Sequence, residues 1–239
     1  MIKIGSAFSG IGGFELGLER AIPNSETIWQ IENNAFCQRI LRKHWTKTTI
    51  YSDITKLNFE TLEKPDILCA GFPCQDYSVA STQKGLQGDK GSLWNNLFQL
   101  ISILRCKIIV LENTPNIVRL GIPTISAQLS SIGYCLQWTI VSAAEVGAPH
   151  LRKRFFGIAT NTNCNRNDKE NKNNARWTKY NMCTDRKRSS YWTTTNQPSI
   201  CRMGDGVSNR LDRMKALGNS IVPQCSFLIG QIIYHNLIK

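Results

Sequence analysis

The feature that most constrains the fold is an alternation of strand-like and helix-like apolar runs through the first two-thirds of the chain. Strand-like runs are predicted at 3–8, 27–31, 67–70, 107–112, 137–142 and 155–158. Helix-like runs are predicted at 13–21, 35–44, 93–104 and 122–132, with a final helix at 227–237. This alternation predicts an α/β fold, a Rossmann-like and mainly parallel sheet with helices on both faces.

Composition changes at about residue 160, after which the chain is rich in Asn, Thr, Lys and Arg and poor in apolar residues. Aromatic residues recur there: Trp177, Tyr180, Tyr191 and Trp192. Two interpretations stay open, a loosely folded insert and a nucleic-acid-binding module whose basic groups reach phosphates while aromatic rings stack on bases. Because apolar periodicity then returns, we expect one domain, 1–159 with 210–239, interrupted by a small irregular insert at 160–209.

The chain carries 29 Lys and Arg residues against 17 Asp and Glu, a formal net charge of +12. A positive field of this size attracts polyanions, of which nucleic acid is the commonest. A basic surface kept for solubility is the alternative. No run approaches the roughly 18 consecutive apolar residues of a transmembrane helix, so no membrane partner is expected.

Nine cysteines are scattered along the sequence without a Cys-x-x-Cys pair. An odd, dispersed set argues against a disulfide framework and against a structural metal site. Most are expected to be small buried hydrophobic residues in a reducing, cytoplasmic environment. The opening Met1-Ile2-Lys3-Ile4 does not lead into the apolar run of a secretory signal, which agrees with that compartment.

A glycine-rich turn, Phe8-Ser9-Gly10-Ile11-Gly12-Gly13, lies between the first predicted strand and the first helix. Glycines there let the backbone approach a ligand, and the helix N-terminus offers free N–H groups. Glu32 ends the next strand, and an acid about twenty residues beyond such a turn bonds a ribose hydroxyl in Rossmann-type sites. A surface carboxylate is the alternative. The pair favours a nucleotide-like cofactor, without choosing between NAD and S-adenosylmethionine.

Cys74 follows Pro73 in a Gly-Phe-Pro loop after the strand predicted at 67–70. Most cysteines are inert and buried. A stiff, exposed loop would instead let this thiol reach a substrate, and nearby positive charge would favour its thiolate. Cys74 is therefore a candidate nucleophile.

Three further polar segments carry weaker signals. Glu112 and Asn113 end a predicted strand, where a carboxyl group of raised pKa could act as an acid or the pair could simply be solvated. The Arg152-Lys153-Arg154 run is either a solvated basic cluster or a group that binds phosphates of a nucleic acid. Leu217-Gly218-Asn219-Ser220 alone predicts a turn with a capping Asn or Ser.

Taken together, these segments resemble the cytosine-C5 DNA methyltransferase family, of the bacterial or phage restriction–modification type. The segments that carry the resemblance are Ala7-Phe8-Ser9-Gly10-Ile11-Gly12-Gly13, Gly71-Phe72-Pro73-Cys74-Gln75-Asp76-Tyr77-Ser78, Glu112-Asn113, Arg152 with Arg154, and Ala216-Leu217-Gly218-Asn219-Ser220-Ile221-Val222-Pro223-Gln224. The resemblance covers roughly residues 1–159 and 210–239. The Pro-Cys loop and the final Gly-Asn-Ser motif, in this order, are highly specific for the family.

The resemblance implies S-adenosylmethionine as the cofactor. Glu32 would hold its ribose and Asp53 would lie near its adenine. The full set of implied cofactor residues is Phe8, Ser9, Gly10, Gly12, Gly13, Glu32, Asp53, Ile54, Asn219 and Ser220.

The resemblance also implies a catalytic set. The Cys74 thiolate would add to C6 of a flipped-out cytosine, and protonated Glu112 would give a proton or hydrogen bond to N3 of the base. Arg152 would be the cation beside the O2 edge of the base. The remaining implied catalytic residues are Pro73, Asn113, which holds the loop, and Arg154. The partner would be double-stranded DNA, with a cognate restriction endonuclease as functional counterpart, and the protein a monomer.

The sequence departs from the family pattern at three places. His150 stands where the family usually has Gln, Thr114 follows Asn113 where it usually has Val, and the insert is short for a target-recognition domain. Two alternatives stay open. A tRNA cytosine-C5 methyltransferase usually carries a Cys-Phe-Thr motif, which the sequence lacks, and a catalytically degenerate DNA-binding protein would have no need of the intact motifs.

Overall fold

A computed structural model describes residues 1–73, 91–161 and 210–239. The strands in these ranges are β1 (Ile2–Ala7), β2 (Ser25–Ile31), β3 (Thr49–Tyr51), β4 (Ile67–Ala70), β5 (Ile108–Asn113), β6 (Tyr134–Ser142) and β7 (Lys153–Asn161). They form one sheet in the order β3-β2-β1-β4-β5-β7-β6. Strands β1 to β5 pair in parallel, and β7 runs antiparallel to both of its neighbours. The predicted mainly parallel sheet is confirmed.

The helices in these ranges are α1 (Gly13–Ala21), α2 (Ala35–His44), α3 (Gly91–Leu104), α4 (Ile117–Leu120), α5 (Ile122–Ser131), α6 (Arg210–Asn219) and α7 (Pro223–Ile233). Short 3-10 turns lie at Ile54–Lys56, Phe59–Thr61 and Ala143–Val146, and a π-helical turn at Tyr234–Ile238 follows α7. The bounds of α1 and α2 are those predicted. Asn34 begins α2 by accepting hydrogen bonds from the backbone N–H groups of Phe36 and Cys37, as a capping side chain does.

The sheet is covered on both faces, because successive side chains of a strand point to opposite sides. Leu68 and Ala70 of β4 join one hydrophobic cluster with α3 and α5. Ile67 and Cys69 of the same strand join a second cluster with α1 and α7. Both β4 and β5 are buried along their whole length, as central parallel strands are.

The segment before α7 differs from the sequence prediction. Residues 217–219 complete helix α6 and do not form a turn. Helix α7 begins at Pro223 after Val222, which makes no side-chain capping bond. Proline suits the first helical position because its φ is already helical and it has no N–H to satisfy. Neither Asn219 nor Ser220 therefore caps α7.

Helix α7 packs against α1. Ser226 Oγ donates to the carbonyl of Gly13 at 2.9 Å. One helical stretch of the described residues, Lys215–Ile238, could cross a membrane by length and hydropathy alone. Its helical pattern is broken at 220–222, and Ile229 and Ile233 are fully buried in the core. Helix α7, the apolar part of this stretch, therefore packs into the core.

Strand β7 continues to Asn161, two residues past the predicted domain boundary at 159. The side chain of Asn161 is buried, and its backbone pairs with Tyr134. Two predicted features lie largely outside the described residues: the insert at 160–209, from residue 162 onward, and the catalytic loop at 71–78, from Cys74 onward.

Candidate active site

A cavity of about 540 Å³ opens at the carboxyl edge of the sheet. It lies where β1 is flanked by β2 on one side and β4 on the other, the switch point at which open α/β sheets bind ligands. Many predicted site residues line this cavity: Phe8, Gly10, Glu32, Asp53, Ile54, Pro73, Glu112, Asn113, Arg154 and Asn219. The topology thus brings residues from seven separate segments to one wall.

The glycine-rich turn has one open side and one packed side. Gly10 has a φ of +57°, and no atom lies within 4 Å of the place its Cβ would occupy, so a ligand can approach this backbone closely. On the packed side, a Cβ on Gly13 would lie 2.5 Å from the carbonyl oxygen of Ile221. Ser9 is buried and donates to Ser6 Oγ at 2.9 Å. Ser9, Gly12 and Gly13 therefore support the turn from behind the cavity wall.

Glu32 is fixed by two backbone groups. Its Oε2 accepts a hydrogen bond from the N–H of Gly10 at 2.7 Å, and its Oε1 accepts one from the N–H of Asn34 at 2.8 Å. Burial raises the pKa of Glu32, and these hydrogen bonds act against the rise. The acid is thus held between the glycine-rich turn and the start of α2.

Asp53 presents a second carboxylate beyond β3. Its Oδ1 accepts hydrogen bonds from Thr55 N at 3.0 Å and Thr55 Oγ1 at 2.7 Å. These bonds lower the pKa of Asp53, so the group is ionised at neutral pH. Ile54 is buried beside it and gives this part of the cavity an apolar surface.

Glu112 lies near the end of β5, buried and paired with a cation. Arg154 Nε is 3.1 Å from Glu112 Oε1. Burial raises the pKa of Glu112 to about 7, while the positive charges of Arg154 and Arg152 act to lower it. A carboxyl group with this pKa is present in both its acid and its base form at neutral pH, as proton-transfer catalysis requires.

Asn113 connects β5 to the loop that leads to Cys74. Its Nδ2 donates to the carbonyl of Phe72 at 3.1 Å, and its Oδ1 accepts from the N–H of Thr114 at 2.8 Å. Asn113 and Phe72 are both buried, whereas Pro73 is exposed on the cavity wall. The contact fixes the loop two residues before the predicted nucleophile.

Arg152 has different partners from Arg154. Its Nη2 donates to the carbonyl oxygens of Gly218 and Ser220, at 2.6 and 2.7 Å. Gly218 is in the last turn of α6, Ser220 directly follows that helix, and Asn219 between them lines the cavity wall. Arg152 therefore ties the start of β7 to the last predicted motif.

The family model described as C-5 cytosine-specific DNA methylase matches residues 2–205. The chain belongs to this family.

Two relatives of this chain are named Type II methyltransferases. M.NgoFVII of Neisseria gonorrhoeae is 31% identical over 160 residues, which cover 64% of this chain and 42% of the relative. M.HhaI of Haemophilus parahaemolyticus is 28% identical over 165 residues, which cover 67% of this chain and 48% of the relative. The chain thus matches less than half the length of each.

Solved structures share the fold. The Entamoeba histolytica methyltransferase EhMeth superposes with a TM-score of 0.59 at 21% identity, covering 67% of this chain and 53% of that chain. The S. pombe Dnmt2 methyltransferase gives a TM-score of 0.58 at 19% identity, covering 68% and 51%. Both likenesses confirm the Rossmann-like fold.

Some residues on the cavity wall were not predicted from sequence. They include Asn33, Asn34, Cys37, Ser52, Thr114 and Lys215. Asn33 and Asn34 directly follow Glu32, so the rule that ligands lie beyond strand ends could have identified them. Lys215 carried no such signal, because it lies on α6, which the sequence pattern did not predict.

Proposed function

We propose that this chain is a DNA (cytosine-5-)-methyltransferase, which transfers a methyl group from S-adenosylmethionine to C5 of a cytosine in double-stranded DNA. The observation that carries the proposal is one cavity wall shared by Glu32 and Asp53 on one side of β1 and by Glu112 and Asn113 on the other. Family membership and the names of the relatives support the same reaction.

The cavity fits S-adenosylmethionine in size and in the groups it offers. Its volume, about 540 Å³, is that of a small-molecule site. Glu32 and Asp53 would accept hydrogen bonds from ribose hydroxyls and the adenine amine, and the open backbone at Gly10 would lie against the cofactor. S-adenosylmethionine, when bound, supplies an electrophilic sulfonium methyl group.

Cytosine C5 alone is too weak a nucleophile to accept that methyl group. In the proposed reaction, the thiolate of Cys74 forms a bond to C6, and the electron pair of the C5–C6 bond becomes available at C5. Transfer of the methyl group to C5 would leave S-adenosylhomocysteine; C5 then loses its proton to water as the C6–Sγ bond breaks. Cys74 then leaves as a thiolate and the ring is aromatic again. Pro73 would stiffen the loop from which the thiol acts.

Glu112 would hold the proton that the ring needs at N3. When Cys74 adds, negative charge builds on the ring, and the protonated carboxyl group relieves it. The proton returns to Glu112 when the thiolate leaves. Arg152 and Arg154 both act electrostatically on Glu112. We propose Arg152 as the cation for the O2 edge of the base, and Arg154, which lies nearer the carboxyl group, as its support.

A cytosine inside a duplex cannot reach these groups, so the base must be flipped out at a cost of a few kcal/mol. We propose that residues 160–209 form the target-recognition insert whose contacts offset this cost, and that 1–159 with 210–239 form the catalytic domain. The insert carries nine Lys and Arg residues against four Asp and Glu. Its basic and aromatic side chains suit phosphates and stacked bases.

The proposal is tested with purified chain, unmethylated duplex DNA and S-adenosylmethionine that carries a labelled methyl group. We expect labelled 5-methylcytosine after digestion to nucleosides, and bisulfite sequencing of DNA from expressing cells would give its sequence context. A parallel reaction with tRNA is the control. Label in tRNA alone would identify the tRNA methyltransferase, and label in neither would favour the catalytically degenerate DNA-binding protein.

The covalent step is tested by Cys74→Ser against Cys135→Ser, a substitution of an exposed cysteine in β6. Cys74→Ser should bind S-adenosylmethionine normally and transfer no methyl group, whereas Cys135→Ser should remain active. DNA containing 5-fluorocytosine should trap the wild-type protein covalently, because fluorine cannot leave as the C5 proton does. Near-normal turnover by Cys74→Ser would refute the covalent route.

The role of the insert is tested by deleting residues 162–195, which keeps Asn161 of β7 in place. We expect tight DNA binding to be lost while S-adenosylmethionine still binds. Unchanged DNA affinity in the deletion variant would show that the insert does not read the DNA.

A further inference from the structure

A buried polar pair lies beneath the glycine-rich turn, away from the cavity. Glu15 in the first turn of α1 and Gln30 in β2 are both fully buried. Gln30 Nε2 donates to Glu15 Oε1 at 3.1 Å. Within the described ranges, the two remaining oxygens of this pair, Glu15 Oε2 and Gln30 Oε1, have no hydrogen-bond partner.

An ionised Glu15 would leave this pair with two unsatisfied acceptors, because a carboxylate has no donor. Buried acceptors without partners are costly. A carboxylic acid, by contrast, has one donor and one acceptor on the same edge, as a primary amide does. A single proton on Glu15 Oε2 would turn it into a donor for Gln30 Oε1 and satisfy both atoms at once.

We infer that Glu15 is a neutral carboxylic acid joined to Gln30 by two hydrogen bonds, and that this pair positions the glycine-rich turn against β2. The inference rests on the proposed function insofar as the turn binds S-adenosylmethionine. Glu15 follows the turn by two residues, and Gln30 precedes Glu32 by two. The pair therefore connects, in the core, the same two segments that the Gly10–Glu32 hydrogen bond connects at the cavity.

The surroundings of Glu15 agree with a neutral acid. Burial raises its pKa, while the hydroxyl groups of Ser6 and Ser9 and the amide of Gln30 act to lower it. The titratable groups near it are the thiol of Cys69 in β4 and the carboxylate of Glu19, one turn along α1. Burial holds the pKa of Cys69 well above its usual value, so this thiol is neutral. None of these groups offers a positive charge to an ionised Glu15.

The first test compares substitutions at the pair. Glu15→Gln keeps both hydrogen bonds, since its amide donates where the acid did. We expect its affinity for S-adenosylmethionine, measured by calorimetry, to stay within about twofold of wild type. Glu15→Leu and Gln30→Leu each leave a buried polar partner unsatisfied and should weaken binding about tenfold or more.

Glu19→Gln is the matched control on the same helix. The carboxylate of Glu19 accepts hydrogen bonds from Thr27 N, Thr27 Oγ1 and Trp45 Nε1, so it serves only as an acceptor. An amide there would turn its own N–H groups toward donors. The same substitution should therefore lower Tm at position 19 and, at low pH, where Glu15 is protonated in both the folded and the unfolded chain, leave it unchanged at position 15.

Infrared spectroscopy detects the proton on the Glu15 carboxyl group directly. At about pH 8, above the pKa of about 7 of Glu112, wild type should retain the carbonyl stretch of a protonated carboxyl group, and Glu15→Gln should lack it. A raised folded-state pKa stabilises the fold at low pH, and this contribution is lost as pH rises toward that pKa. The Tm of Glu15→Gln relative to wild type should therefore increase with pH.

The inference would be overturned if Glu15→Gln were as damaging as Glu15→Leu and left the infrared band unchanged. The infrared and Tm measurements require no methyl transfer and no cofactor. Wild-type protein that failed to bind S-adenosylmethionine would refute the proposed function, and these two measurements would still decide the state of Glu15.

Discussion

Arg154 and Glu112 are joined across two strands of opposite direction, with Nε of the arginine 3.1 Å from Oε1 of the acid. Strand β7 runs antiparallel to β5, so the start of β7 lies at the same sheet edge as the end of β5. Burial raises the pKa of the acid and the cation lowers it. Their balance sets the fraction of Glu112 that is protonated at neutral pH.

Replacing Glu112 by Gln should remove the proton donor without removing the cofactor site. If protonated Glu112 is the active form, kcat/KM of wild type should fall as pH rises through about 7. Glu112→Gln should lower kcat by about 10²- to 10⁴-fold and abolish this pH dependence. Rates of methyl transfer across the pH range measure both effects, with the exposed Glu60→Gln as control. If kcat/KM of Glu112→Gln still fell near pH 7, the fall would belong to the titration of another group.

Arg154→Met should shift the same pH profile upward. The positive charge of Arg154 lowers the pKa of Glu112, so its removal allows that pKa to rise and keeps the acid protonated to higher pH. The fall in kcat/KM should therefore occur at higher pH than in wild type, whatever the absolute rate. Arg119→Met, on the exposed side of α4, should leave the profile in place. A downward shift would contradict the pairing.

Asn113→Asp should separate catalysis from cofactor binding. The substitution keeps the oxygen that accepts from Thr114 and removes the donor to Phe72. The loop before Cys74 would then lose its anchor, and we expect kcat to fall about tenfold or more because a buried carbonyl loses its partner. Cofactor affinity, measured separately, should be nearly unchanged. Asn116→Asp, at an exposed position, is the matched control. An equal fall in kcat in that variant would show that the loss of the loop anchor is not the cause.

Arg152→Met should weaken the junction between α6 and α7. It removes two charged hydrogen bonds to the carbonyls of Gly218 and Ser220, and we expect the free energy of unfolding to fall by about 1–3 kcal/mol. Asn219 lies between these carbonyls on the cavity wall, so cofactor affinity should fall as well. Denaturant unfolding and calorimetry measure the two effects. Lys153→Met, at the exposed neighbouring position, should show neither.

Strong periodic runs predicted the centre of the fold well. The apolar spacing of α1 and α2 gave their bounds directly, and the rule for strand ends placed Glu32, Asp53 and Glu112 at one edge. Strand β3 was missed because three residues, Thr49–Tyr51, are too few to show alternation. The end of helix α6, residues 217–219, was predicted as a turn because Gly218 and Asn219 favour turns; the helix instead continues to Asn219, and Arg152 donates a hydrogen bond to the carbonyl of Gly218 there.

The different partners of Arg152 and Arg154 could not be predicted from the sequence. Arg152 and Arg154 are two residues apart, and no local pattern distinguishes them. Their partners follow from the position and direction of β7 in the sheet, since Arg154 reaches Glu112 of β5 while Arg152 reaches the segment before α7. The Glu15–Gln30 pair is equally hidden, because it depends on the register of α1 against β2.

The hydrogen bond from Ser226 to Gly13 joins residues 213 positions apart. Loop-closure entropy makes contacts of such long range slow to form, and chains that depend on them fold late. During synthesis, the glycine-rich turn leaves the ribosome long before the helix that supports it. Newly made chains should therefore acquire the cavity at the sheet edge only after translation of α7, and until then the apolar face of α1 remains exposed to chaperones and proteases.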